Sequence, residues 1–243
     1  MAQATAPFPG GGLGADTGRA GPQPGAEETV AFLLSLRARG IRDTTLLRAM
    51  EMVPRDLFAP RRFSDLARAD VSLPLPCGQT MTAPATIATM LLSLSVERRH
   101  RVLEVGTGSG YVAAVLGHLG RSVVSVERFR TLALAATERI AALNLDNVGI
   151  MAADGLAIGE IPQDGEGDSE LFDRILLNGA LDEPPPSALT ARLAPGGRLV
   201  GARTIDGRQQ LLRMTRAADG TLTEELGVAI RLPPLAHGVA KAL

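Results

Sequence analysis

Residues 101–120, RVLEVGTGSGYVAAVLGHLG, decide the fold. An apolar run long enough for a strand leads into Gly106, Gly108 and Gly110, separated by Thr107 and Ser109. An apolar stretch with helical spacing follows. Strand, glycine turn and helix in this order open a doubly wound α/β sheet, whose ligand sits at the carboxyl ends of the strands where strand order reverses. The glycines permit positive φ and let the backbone approach a ligand closely. Glu104, inside the strand just before the turn, is the odd residue. A dinucleotide would lay its pyrophosphate on the following helix N-terminus. A carboxylate there would repel it by about 1–4 kcal/mol at ~4 Å across the usual range of effective dielectric. The spacing also differs, G-x-G-x-G here against G-x-G-x-x-G in the dinucleotide fingerprint.

A cofactor without phosphate and with a cationic amino-acid tail reverses that argument. S-adenosylmethionine carries an ammonium, a sulfonium and an adenosine. Glu104 is then placed close to the ammonium or bound to a loop amide. Glu127, ending the second strand, can accept both ribose hydroxyls, and Asp154 in AADG (152–155) can accept from the adenine amino group. Arg128 and Gly155 flank these acids and complete the candidate cofactor set. Three acidic residues after three successive strands, grouped around one glycine loop, are far more specific than the loop alone.

Composition narrows the class. The chain has 243 residues, 45% of them hydrophobic, enough for a sizeable core, and a formal net charge of −1. That charge leaves no electrostatic footprint for nucleic acid or an acidic membrane. With no Trp and only 3% aromatics, stacking on single strands is equally disfavoured. Cys77 is the single cysteine, so no internal disulfide can form and a reducing compartment is the expectation. No apolar run approaches the roughly 20 residues of a membrane span. A cytoplasmic monomer without a metal site is expected.

Along the chain, residues 1–26 are rich in Gly, Pro and Ala and predict a disordered tail. Helices are expected near 27–39, stopped by Gly40, near 43–52 with Asp43 as N-cap, and near 84–94 with Pro84 in the first turn. Residues 60–84 read as irregular. Beyond residue 98 strands near 101–105, 122–126, 147–151 and 173–177 alternate with helices near 111–119, 130–143 and 185–193. Runs near 198–204, 209–216 and 225–231 suggest an antiparallel finish. PQDGEGDSE (162–170) reads as an acidic surface loop. The expected architecture is one Rossmann-like α/β domain over 27–243. Its sheet is mostly parallel with antiparallel C-terminal strands; residues 27–98 form a helical N-terminal extension and 99–243 the cofactor core.

With those residues placed, the chain resembles the protein-L-isoaspartate O-methyltransferases. VLEVGTGSGY resembles many S-adenosylmethionine-dependent methyltransferases; the family-specific parts are RGIRD (39–43), AMEMVPRDLFAP (49–60), LPLPCGQTMTAP (73–84) and LAPGGRLV (193–200). The most telling is GQT-x-T-x-P, where that family has GQT-x-S-x-P before the core. The resemblance implies methyl transfer from S-adenosylmethionine to the α-carboxylate of L-isoaspartyl residues in damaged peptides and proteins. It places the family's active-site hydroxyl on Thr82, sets Gln79, Thr80 and Met81 over the cofactor, and assigns Cys77, Gly78, Leu232 and Pro233 to the substrate. A carboxylate is already ionised at neutral pH, so the reaction calls for alignment and partial desolvation rather than acid–base help.

Thr82 also has a plainer reading, as N-cap of the helix that opens at Pro84. Cys77 reads as a small buried filler rather than a nucleophile, and His118 and His237 as non-catalytic. The chain departs from the family at Thr82 itself, at NGALDE (178–183), at GARTIDG (201–207) and at LPPLAHG (232–238). The last two fall where the family forms its peptide site. Another carboxylate acceptor, a cofactor- or peptide-binding module without turnover, and a nicotinamide dehydrogenase are the competing functions.

Overall fold

The computed structural model describes residues 25–157 and 171–240. Residues 1–24 of the predicted tail and the expected acidic loop lie outside the described residues. Helix α1 (Ala26–Ala38) buries Phe32 and Leu36 and stops where Gly40 takes φ 87°. Asp43 caps α2 (Thr44–Met52), its Oδ1 accepting the Leu46 N–H at 2.7 Å. Two 3-10 turns, Arg55–Leu57 and Arg61–Leu66, follow.

The stretch expected to be irregular holds a small hairpin, β1 (Leu73–Pro74) against β2 (Thr80–Met81). Cys77 and Gly78 take φ of 64° and 65°, and the Gln79 N–H donates to the Pro76 carbonyl at 3.3 Å. Two consecutive left-handed residues are the mark of a type I′ turn, which usually announces itself as Asn-Gly. Cysteine in the first position hid it. Cys77 is therefore not the buried filler expected; it is half-buried at the tip of the turn. Burial and the Glu127 charge push its thiol pKa up, away from the reactive thiolate.

Helix α3 (Pro84–Leu94) begins at Ala83, which has no side chain to cap it. The cap comes from a distance. Asp70 Oδ1 accepts the Ala85 N–H at 2.8 Å, and its Oδ2 meets Arg39 Nε at 2.8 Å. At the far end, Arg198 donates to the Ser93 carbonyl at 2.8 Å and Arg174 to that of Ser95 at 3.1 Å. Cations at a helix C-terminus suit its dipole. Asp70→Ala is expected to cost about 1–2 kcal/mol in urea unfolding, the price of a lost cap. Arg39→Ala should cost well under ~1 kcal/mol, because that guanidinium is largely exposed.

The core then alternates: β3 (Arg101–Val105), α4 (Tyr111–Leu119), β4 (Ser122–Glu127), α5 (Arg130–Ala142), β5 (Val148–Ala152), β6 (Phe172–Leu181), α6 (Ser187–Thr190), β7 (Leu193–Ile205), β8 (Arg208–Arg216) and β9 (Leu222–Ala229). The sheet order is β5-β4-β3-β6-β7-β8-β9. Strands β3 to β7 are parallel, and β8 and β9 pair antiparallel. The chain moves outward from β3 to β5, then returns to the other side of β3 with β6. Strand order therefore reverses between β3 and β6, where the glycine loop emerges.

Alternation along the strands divides the apolar residues between two faces. Val102, Val123, Leu176 and Val200 pack with α1 to α4; Leu103, Val124, Ile175 and Leu199 pack with Leu156, Leu189 and Leu193. The helix expected near 185–193 shrinks to the four residues of α6. Pro184, Pro185 and Pro186 supply no N–H donors, and Leu193 already pairs with Phe172 in the sheet. The last strand runs from Leu222 to Ala229, a few residues earlier than its apolar pattern suggested.

Candidate active site

The site begins with the turn after β3. Gly106, Gly108 and Gly110 all have positive φ, 93°, 55° and 89°. A side chain at Gly110 would also meet Ala136 of α5 at 3.0 Å, so sequence and packing both demand glycine there. Glu127, at the end of β4, grips this turn. Its Oε2 accepts the Gly108 N–H at 2.8 Å and its Oε1 the Phe129 N–H at 2.9 Å. Each oxygen retains a lone pair for a ligand.

Glu104 is 0% exposed. Its Oε2 accepts from Ser125 Oγ at 2.6 Å, Ser125 Oγ lies 2.5 Å from Thr107 Oγ1, and its Oε1 faces Asn178 Nδ2 at 3.4 Å. Asn178 Nδ2 also donates to the Gly106 carbonyl at 3.1 Å. Burial pushes the Glu104 pKa up to about 8, with the nearby Glu127 adding to it and the Ser125 and Asn178 hydrogen bonds opposing it.

A cavity of about 810 Å³, part of it open to solvent, lies over this loop. Its walls include Gln79, Thr80, Met81 and Thr82 from the hairpin; Gly106, Thr107, Gly108, Ser109 and Tyr111 from the turn and α4; Glu127 and Arg128 at the end of β4, Gly155 after β5 and Asn178 within β6; and Pro233 to Ala236 from the C-terminal segment. Thr82 is 6% exposed, and among the described residues none hydrogen-bonds its hydroxyl. It does not cap α3. That reading is removed by Ala83 at the cap position and Asp70 on the first turn.

The C-terminal segment closes one side as a strap. The Ala180 N–H donates to the Pro233 carbonyl and the Leu235 N–H to the Ala180 carbonyl, both at 2.8 Å. Gly179 permits this contact, since a side chain there would strike Leu235 at 2.6 Å and the Pro233 carbonyl at 3.0 Å. Arg128 Nε donates to the Gly238 carbonyl at 2.9 Å. Asp154 latches the same end, its Oδ2 accepting the Gly238 N–H at 2.7 Å and its Oδ1 the Leu156 N–H at 2.9 Å. Burial works to raise the Asp154 pKa but is outweighed by those amides and by His237, so the carboxyl titrates below its usual range. Asp154→Ala should free the strap, accelerating hydrogen exchange at Gly238 in mass spectrometry; unchanged protection there would deny the latch.

Most of the expected site residues therefore meet in one cavity. Glu104 and Gly110 stand behind its wall and Asp154 beside it, while Cys77 and Gly78 sit at the hairpin tip. Leu232 is buried, exchanging hydrogen bonds with the Gln209 side chain. Sequence reasoning missed Ser125, Asn178 and Tyr111. Ser125 had a visible signal, a hydroxyl set inside the apolar run VVSV (123–126).

A glycine turn at the switch point, held by carboxylates and facing a cavity with one cation among its lining residues, defines a Rossmann-like S-adenosylmethionine-dependent methyltransferase. The family model described as Protein-L-isoaspartate(D-aspartate) O-methyltransferase (PCMT) matches residues 27–240, and the chain belongs to that family. The chain is similar to a protein-L-isoaspartate O-methyltransferase of Rhodopseudomonas palustris (strain BisB18), 42% identical over 92% of this chain and 99% of the relative. It is 46% identical to a protein-L-isoaspartate O-methyltransferase 2 of strain HaA2, over 89% and 96%. In fold it is similar to a structure from Plasmodium falciparum described as a protein-L-isoaspartate O-methyltransferase in complex with S-adenosyl-L-homocysteine. The TM-score is 0.72 at 23% identity, covering 85% of this chain and 97% of that one. The chain is an S-adenosylmethionine-dependent O-methyltransferase that methylates L-isoaspartyl residues, the opening step of their repair. Among the described residues no helix is long and apolar enough to cross a membrane.

Proposed function

We propose that the cavity over the glycine loop is where cofactor and acceptor meet, and that Thr82 aligns the isoaspartyl α-carboxylate. The observation that carries this is the Thr82 hydroxyl: the residue is largely buried, its hydroxyl has no protein partner among the described residues, and it shares the cavity with the glycine loop and Glu127. The residues fit the cofactor. The three left-handed glycines give it a close backbone, and the spare lone pairs of Glu127 suit paired ribose hydroxyls. Gly155 and Leu156 supply surface near the Asp154 turn for the adenine. S-adenosylmethionine supplies a methyl made electrophilic by its sulfonium.

The chain does the positioning. The Thr82 hydroxyl donates to one oxygen of the acceptor carboxylate and leaves the other free. Met81, Ile87 and Leu235 exclude water from that nucleophile. Pro233, in the cavity wall, contacts the acceptor peptide; Cys77 and Gly78 at the hairpin tip and Leu232 behind the strap place that contact. The lone cysteine supports a reducing, cytoplasmic setting, and light scattering on the purified chain checks the expected monomer. Transfer of labelled methyl to matched isoaspartyl and aspartyl peptides tests the whole reading. Labelling of the isoaspartyl peptide alone is the expected result, and equal labelling of both would move the acceptor assignment elsewhere.

A further inference from the structure

Glu104 is fully buried and forms no part of the cavity wall, yet Asn178 touches both. Asn178 lies within β6, at the register shift between Leu176 and Ala180, where the segment NGALDE (178–183) begins. Its Nδ2 donates to the Gly106 carbonyl at 3.1 Å and faces Glu104 Oε1 at 3.4 Å. The opposite amide orientation would press Oδ1 against the Gly106 carbonyl, acceptor to acceptor, so the side chain is fixed this way round. Oδ1 is then left buried with no hydrogen-bond partner. Buried amide oxygens are rarely left unpaired, and one at a binding cavity marks a place where a donor belongs.

We infer that Asn178 is the residue through which the buried Glu104 acts on the cofactor, Oδ1 accepting from the ammonium group of its amino-acid tail while Nδ2 donates to Glu104. The inference rests on the reading of the cavity as the cofactor site. In such a chain of hydrogen bonds each member polarises the next, so the carboxyl behind the wall strengthens the acceptor in front of it. The Gly106 carbonyl anchors the amide, which ties the orientation of Asn178 to the glycine loop itself.

The test compares two ligands that share adenosine and a thioether sulfur. S-adenosylhomocysteine has the amino-acid tail and 5′-methylthioadenosine lacks it. Both are titrated calorimetrically into one preparation of the full chain, so any misfolded fraction lowers both stoichiometries and leaves the affinity ratio intact. Asn178→Ala should weaken S-adenosylhomocysteine about tenfold or more, as for a hydrogen bond to a charged group, and change 5′-methylthioadenosine less than about twofold. Asn178→Ser, kept as a second variant, should show the same preference in the ratio. Equal losses for both ligands would make Asn178 a brace for the loop and overturn the inference. So would an unchanged S-adenosylhomocysteine affinity with a raised KM for peptide, which would give the residue to the acceptor. A wild-type chain that binds neither ligand would instead overturn the cavity assignment.

Discussion

Replacing Thr82 by Val is expected to slow methyl transfer to an isoaspartyl peptide by roughly 10–150-fold, the worth of one hydrogen bond to a charged oxygen. Val keeps the branched shape and loses only the donor. S-adenosylhomocysteine affinity should hold. The structure sharpens the stability side of this experiment. A lost N-cap would cost about 1 kcal/mol, but Thr82 caps nothing, and its hydroxyl, at the cavity wall, has no protein partner among the described residues. Replacing that hydroxyl by a methyl breaks no protein hydrogen bond, so the melting temperature should stay level while the rate falls. Thr82→Ser should retain most of the rate, because the donor survives. A Val variant with full turnover would leave the carboxylate aligned by some other group.

The skeleton of this site was legible because local physics wrote it. Apolar five-residue runs, a turn of alternating glycines and helical spacing behind it are short-range signals, and they placed Glu104, Glu127 and the loop correctly in chain order. What surrounds those residues was not legible. Glu104 takes its partners from Ser125, 21 residues away, and Asn178, 74 away, a pairing that only parallel strand register produces. Asp70 reaches the Ala85 amide across 15 residues for the same kind of reason. The hairpin that carries Gln79 to Thr82 was hidden by an unusual turn residue, Cys77 at positive φ. The helix expected near 185–193 failed because three prolines and strand pairing outweighed the pattern. Tertiary partners, together with the few elements they override, are what the sequence concealed.

The buried carboxyl of Glu104 makes pH the most direct probe of how the site prepares for a cation. With its pKa pushed up to about 8 by burial, the folded chain keeps a proton that the unfolded chain loses near its ordinary 4.5. Between those values the folded state binds more protons than the unfolded one, so this group's contribution to stability falls as pH rises from about 4.5 to about 8 and is flat beyond either end. A cationic ligand reverses the preference, because a positive charge nearby favours the carboxylate. Cofactor binding should therefore release a proton below pH 8. S-adenosylhomocysteine affinity should rise with pH by up to about tenfold per unit, the limit for one linked proton, and level off near 8. Glu104→Gln resembles the protonated side chain. It should erase both the pH slope of affinity and the decline in apoprotein stability, and at pH 8 it should bind the ligand far more weakly than the wild type. Calorimetry in two buffers of different ionisation enthalpy counts the released proton directly. Equal slopes in wild type and variant, with no proton released by either, would mean that Glu104 keeps one protonation state on binding and is not the group that titrates against the cation.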